Sequence, residues 1–142
     1  MQYRATRALA RVSVGFASGP DGRVLGYARL AWRGRERTFR LVPPTRSLSA
    51  LQGRDAAYAA VQAAAVAVRR LGIRDVEFAV DDPDLPVDLR ERRTLSAPLV
   101  LPYVALRCQL NRFESATVLG PDAFVRDLTT RARAEAYLNA AA

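Results

Sequence analysis

Residues 78–89 read FAVDDPDLPVDL, a short apolar run followed by four aspartates and two prolines. Two readings compete. Carboxylates at the end of a strand hold divalent cations when others converge on them. Carboxylates around prolines in a turn cap the free N–H groups of a starting helix. The first reading needs partners from elsewhere, so the surrounding sequence decides.

Upstream, IRDVEFAV (73–80) reads as a strand. It follows a helix predicted over about 50–71, Ala-rich and ending at Gly72, with Arg69 and Arg70 against the negative end of its dipole. A helical crossover makes the 73–80 strand parallel to an earlier one. Before the helix, PPTRSLS (43–49) stops a sheet and offers caps at Thr45, Ser47 and Ser49. That sheet begins with Val12, Val14 and Phe16 in period-two alternation, turns at SGPDGR, and runs back over 23–33. It turns again at GRER into RTFRLV, which completes an antiparallel meander. Downstream, a short helix is expected near Pro83 or Pro86. A fifth strand is expected in LVLPYVALRCQL (99–110), and a last helix from Pro121 to about Asn139, with Pro121 at N1 and Asp122 in an acidic first turn.

Composition bounds the function. The 142 residues make one domain, 1–142, large enough to bury a core. All 22 basic residues are Arg, against 14 acidic ones, for a net charge of +8. A GC-rich coding sequence accounts for the excess of Arg and Ala; a polyanionic partner accounts for the Arg as well, because guanidinium binds phosphate bidentately. The single Cys108 excludes an internal disulfide framework and points to a reducing, cytoplasmic setting. Its alternating apolar surroundings predict a buried thiol. There is no His, which excludes Ser-His and Cys-His catalysis and imidazole metal ligands. The Ala-rich run is too short and weakly hydrophobic to span a bilayer, so no membrane role is expected.

This order of elements resembles the ribonuclease H-like superfamily, and four motifs carry the resemblance. VSVGFAS (12–18) resembles the first-strand motif, with Gly15 where the family has Asp. QGRDAAYAAV (52–61) resembles the first-helix motif, with Ala56 in place of a metal-binding Glu. FAVDDPDL (78–85) resembles the end of the fourth strand, with Asp81 at the conserved aspartate. FVRDLTTRARAEA (124–136) resembles the closing helix, with Asp127 at the fourth acidic position. The resemblance implies an α/β fold, a five-stranded mixed sheet (β-β-β-α-β-α-β-α) with helices on both faces. It implies catalytic and metal roles for Asp81 and Asp127 alone, two of four acidic positions. The family's histidine before the last helix has no counterpart.

Two-metal phosphodiester cleavage needs several carboxylates around paired Mg²⁺ or Mn²⁺. Asp55 neighbours Ala56 but is rotated about 100° on a helix. Asp21 lies roughly 20 Å beyond Gly15 along an extended strand. Neither replaces a missing ligand, and Asp82, Asp84 and Asp88 read as turn and helix-start residues. Arg29, Arg33, Arg35, Arg37 and Arg40 cluster on the second and third strands among Tyr27, Trp32 and Phe39. A basic sheet with aromatics tracks a nucleic-acid backbone and stacks bases; charge on an exposed edge also protects against aggregation. Arg90, Arg92 and Arg93 form a second basic patch.

Three functional classes remain. One is a catalytically degenerate nucleic-acid-binding or interaction module, a pseudoenzyme without cofactor, whose partner is nucleic acid held weakly through its backbone or an acidic protein. Another is a divergent Mg/Mn-dependent nuclease using Asp81 and Asp127. The third is a scaffold or oligomerisation domain.

Overall fold

The computed structural model describes residues 8–44, 46–48, 51–91 and 95–141. Three alternating segments form β1 (Ala10–Ser18), β2 (Val24–Trp32) and β3 (Arg35–Leu41), paired antiparallel as a meander. β4 (Asp75–Val80) runs parallel to β1, and β5 (Ser115–Leu119) parallel to β4, giving the order β3-β2-β1-β4-β5.

The strongest sequence-predicted helix is α1 (Arg54–Arg70). Its small side chains let Ala57, Ala60, Val61, Ala64, Ala65 and Val68 pack into a core with Val12, Val14, Ala28, Phe78 and Val80. Leu71 and Gly72 end it; Gly72 takes φ +82° and donates to the Arg69 carbonyl at 3.0 Å, the C′ glycine that the sequence predicts. α2 (Asp84–Glu91) follows β4, as the prolines there indicate.

Residues 99–110 are not a strand. They lie in α3 (Ala97–Leu110), where Leu99, Leu106 and Leu110 are buried and Tyr103 packs beside them. Spacings of four, three and four residues are a helical stripe. Val100, Leu101 and Val104 point outward, so the segment is apolar on every side and carries no clear period. The fifth strand lies further on, at SATVL, where only Ala116 and Val118 turn toward the core. Cys108 is therefore exposed on a helix rather than buried in a strand. The described element order is β-β-β-α-β-α-α-β-α, with one helix more than the sequence predicts.

The opposite face of the sheet carries α4 (Val125–Ala141), where Leu128 and Ala132 pack on Tyr27. It begins four residues after Pro121, so Asp122 lies outside the helix. Asp122 Oδ1 accepts from the backbone N–H groups of Phe124 and Val125 at 2.9 and 3.2 Å, and Oδ2 accepts from Ser13 Oγ at 2.6 Å. The residue caps the helix and pins it to β1. Among the described residues, no helix is long and apolar enough to cross a membrane.

Candidate functional site: the sheet end and the arginine hairpin

The pairing Val14↔Val80 brings Gly15 beside Asp81, and the Asp81 N–H donates to the Val14 carbonyl at 3.2 Å. These are adjacent parallel strands, as the ribonuclease H-like resemblance implies. α4 comes so close here that a Cβ on Gly15 would stand 2.3 Å from Thr129 N and 2.6 Å from the Leu128 carbonyl carbon. Only glycine permits that approach. Thr129 then occupies the space beyond it. Its hydroxyl donates to Asp81 Oδ2 at 2.6 Å and accepts from the Phe16 N–H at 3.3 Å, tying α4 to both strands.

Asp127 lies two residues before Thr129, about 200° around the helix. It is exposed and faces away from the contact that Thr129 makes with Asp81. Ala56 is buried on α1. Among the described residues there is no group of three or more His, Cys, Asp or Glu placed to hold a metal ion.

Asp82 points the other way, because side chains alternate at a strand end. It is buried; Oδ1 accepts from the Asp84 N–H at 2.8 Å, the predicted helix-start cap, and Oδ2 lies 3.4 Å from Arg54 Nε. Asp88 is not part of that cap. It sits on the inner face of α2, three residues after Leu85 and one before Leu89, and is 4% exposed. Its carboxylate accepts from the Tyr58 hydroxyl at 2.8 Å and from Arg54 Nη2. Burial works against the Arg54 charge, but the carboxylates of Asp82 and Asp88 outweigh it and its pKa is raised. Burial, then the hydrogen bond to Asp88, raises the Tyr58 pKa. Asp55 is also buried, accepting from Ser47 Oγ at 2.6 Å and the Leu48 N–H at 2.7 Å, and so anchors the loop before α1. Asp21 stays in its turn, accepting from the Arg23 N–H at 3.0 Å.

The arginines of the meander do not form one surface. β2–β3 pairing sets Tyr27 with Arg40 and Arg29 with Thr38 on the α4 face, and Leu30 with Arg37 and Trp32 with Arg35 on the α1 face. Arg29 bonds Glu36 at 2.6 Å and lies over the Phe124 ring at 3.9 Å. Arg40 bonds Glu135 at 2.7 Å, and Glu135 also accepts from the Tyr27 hydroxyl, which raises the Tyr27 pKa. Arg33, Arg35 and Arg37 are exposed at or near the hairpin tip with no ion pair among the described residues. Arg90 is exposed on α2; Arg92 and Arg93, like the cap candidates Thr45 and Ser49, lie outside the described residues.

Some contributors escape a reading of the sequence. Thr129 gives no signal as a partner of Asp81. Arg126, Arg131 and Arg133 are exposed on α4, and Arg131 lies 4.1 Å over the Tyr27 ring. Their spacing on the closing helix is visible in the sequence, but their face is set by docking.

The sequence matches no protein-family profile and no curated protein sequence. Its shape does match solved structures. Ribonuclease H1 of the halophilic archaeon Halobacterium salinarum NRC-1 superposes with a TM-score of 0.67 at 20% identity, over 89% of this chain and 98% of that one. The chain has the ribonuclease H-like fold. The N-terminal RNase H domain of Rv2228c from Mycobacterium tuberculosis gives 0.70 at 16% identity, over 94% and 99% of the two chains. LC11-RNase H1, solved in complex with an RNA/DNA hybrid, gives 0.62 at 13% identity, over 92% and 99%. At such identities the likeness concerns the fold.

Proposed function

We propose that this ribonuclease H-like domain is a catalytically degenerate nucleic-acid-binding module. The observation that carries the reading is the seat of α4 on Gly15. The place where a first-strand carboxylate would project is filled by helix backbone, and the remaining Asp81 carboxylate is engaged by Thr129. Asp81 and an outward-facing Asp127 supply too little converging negative charge for a pair of hydrated Mg²⁺ ions. Nucleic acid as partner is supported by the +8 charge, by Arg33, Arg35 and Arg37, which have no ion pair among the described residues, and by the hybrid bound to LC11-RNase H1. Arg33, Arg35, Arg37 and Arg90, with Arg92 and Arg93, make the phosphate contacts. Arg29 and Arg40 contribute less, because Glu36 and Glu135 already hold them.

Two measurements test this. With Mg²⁺ or Mn²⁺ the protein is expected to cleave the RNA of an RNA–DNA hybrid no faster than an Asp81→Asn, Asp127→Asn double variant. Metal-dependent cleavage lost in that variant would establish the nuclease alternative instead. In fluorescence anisotropy, binding to duplex or hybrid is expected to weaken with salt by about 0.9 in log K per log unit of salt for each phosphate contact. Replacing Arg35 and Arg37 by Gln removes about two contacts and flattens that slope by roughly 1.8. No binding to any nucleic acid at low salt would leave the scaffold reading in its place.

A further inference from the structure

The hairpin tip is built unlike a plain charged edge. Trp32 and Arg35 pair as the last residues of β2 and the first of β3, leaving a two-residue loop of Arg33 and Gly34. Both take positive φ, +52° and +73°, the pattern of a type I′ turn. Such turns place Asn, Asp or Gly at the first position, whereas this one holds an arginine there in the left-handed region. The guanidinium of Arg33 folds back over the Trp32 ring at 4.5 Å. Trp32 is half-buried, its ring packed on the core beneath. Beside it runs an open groove of about 670 Å³ lined by Leu30, Trp32, Arg33, Arg35, Arg37 and Leu71. Glu36 also reaches the groove, but its carboxylate is neutralised by Arg29.

We infer that this groove is a single-base site for unpaired nucleic acid. A base takes the place of the Arg33 guanidinium on the outer face of the indole, and the released Arg33, with Arg35 and Arg37, neutralises the flanking phosphates. The inference rests on the nucleic-acid reading above and adds to it a strand state, a stacking residue and a location. Base pairing in a duplex leaves only edges and backbone to a protein, whereas a free base offers its flat face to an aromatic ring. Of the other aromatics on β2 and β3, Tyr27 is buried under α4, and Phe39, half-buried on the core as Trp32 is, does not line the groove. The site is also remote from the Gly15–Asp81 junction. Trp32 lies five residues along β2 from Tyr27, the partner of Gly15, which is roughly 16 Å of strand. A strand held here is therefore bound at the opposite end of the sheet from the position of the superfamily's acidic residues.

Trp32 is the only tryptophan in the chain, so its emission reports this one place. A short oligothymidylate added to the unmodified protein at low salt is expected to quench that emission with the midpoint seen by anisotropy. A duplex of equal length is expected to bind by anisotropy and leave the emission unchanged. Trp32→Leu, which keeps an apolar side chain on the core, should weaken single-strand binding about tenfold and leave duplex binding as it was. Binding of the single strand with unchanged emission, or equal quenching by duplex, overturns the base site while leaving the nucleic-acid reading intact. Absence of binding by both probes overturns both.

Discussion

Asp81 and Asp82 share a peptide bond and have opposite surroundings. Asp81 turns to the α4 face, half-buried, and meets one hydroxyl from Thr129. Asp82 turns to the α1 face, is buried, and joins Arg54, Asp88 and Tyr58 in a charged network under α2. The α1 side is determined by several partners that share charge and hydrogen bonds. On the α4 side, the surroundings of Asp81 come down to the close approach at Gly15 and one threonine hydroxyl. A run of aspartates in sequence is thus not a cluster in space, because strand alternation sends neighbours to opposite faces.

The contrast between the two faces breaks most directly at Gly15. Gly15→Asp introduces the carboxylate that the first-strand resemblance implies but drives its Cβ into the backbone of α4, and the stability loss in urea denaturation is expected to exceed about 3 kcal/mol. If the variant were as stable as the parent, α4 would be free to yield and the glycine would not be what seats it.

Next comes the network on the other side. Asp88→Ala leaves the Tyr58 hydroxyl and half of the Arg54 charge without a partner in a buried place, which should remove about 3 kcal/mol. Asp81→Ala, by contrast, should remove only about 1 kcal/mol, the net worth of one hydrogen bond at a half-exposed site. Equal losses from the two would mean that the sides are equally determined.

The smallest effect is in pH. The folded-state pKa of Tyr58 is raised by burial and by Asp88, so above about pH 10 the unfolded chain releases its proton first. Protons bound to the unfolded state are then fewer than in the folded state, and stability falls as pH rises. It is full below that range and declines toward the folded-state pKa. Tyr58→Phe should flatten this alkaline limb, measured as the urea midpoint against pH; an unchanged limb would place the titration elsewhere.

Much of the fold was legible because local periods report it. Val12, Val14 and Phe16 alternate, the SGPDGR turn is marked by glycine, and α1 ends at Gly72 with two arginines before it; the turn expected at GRER is instead Arg33–Gly34, with Arg35, Glu36 and Arg37 already paired in β3. Where the period is lost, the reading fails. Residues 99–110 are apolar all round, so the inward stripe of Leu99, Tyr103, Leu106 and Leu110 is hidden by the exposed Val100, Leu101 and Val104. Asp88 fell within a plausible capping run, although its spacing from Leu85 already set it on the inner face of α2.

By itself the sequence determined which carboxylates exist. No folding event supplies an acid at Gly15 or Ala56, because covalent identity precedes geometry. It also determined that the second and third strands turn near Gly34, but the structure narrowed the four-residue turn expected at GRER to Arg33 and Gly34, because Arg35 already pairs with Trp32. Tertiary structure alone decided that Thr129 stands against Asp81, that Arg29 and Arg40 are held by acids while Arg35 and Arg37 are free of ion pairs among the described residues, and that Arg54 reaches both Asp82 and Asp88. Each of these joins residues distant in sequence or on different elements. Their meeting depends on the register of β1 with β4 and on how closely two helices approach opposite faces of one sheet, which no local pattern encodes.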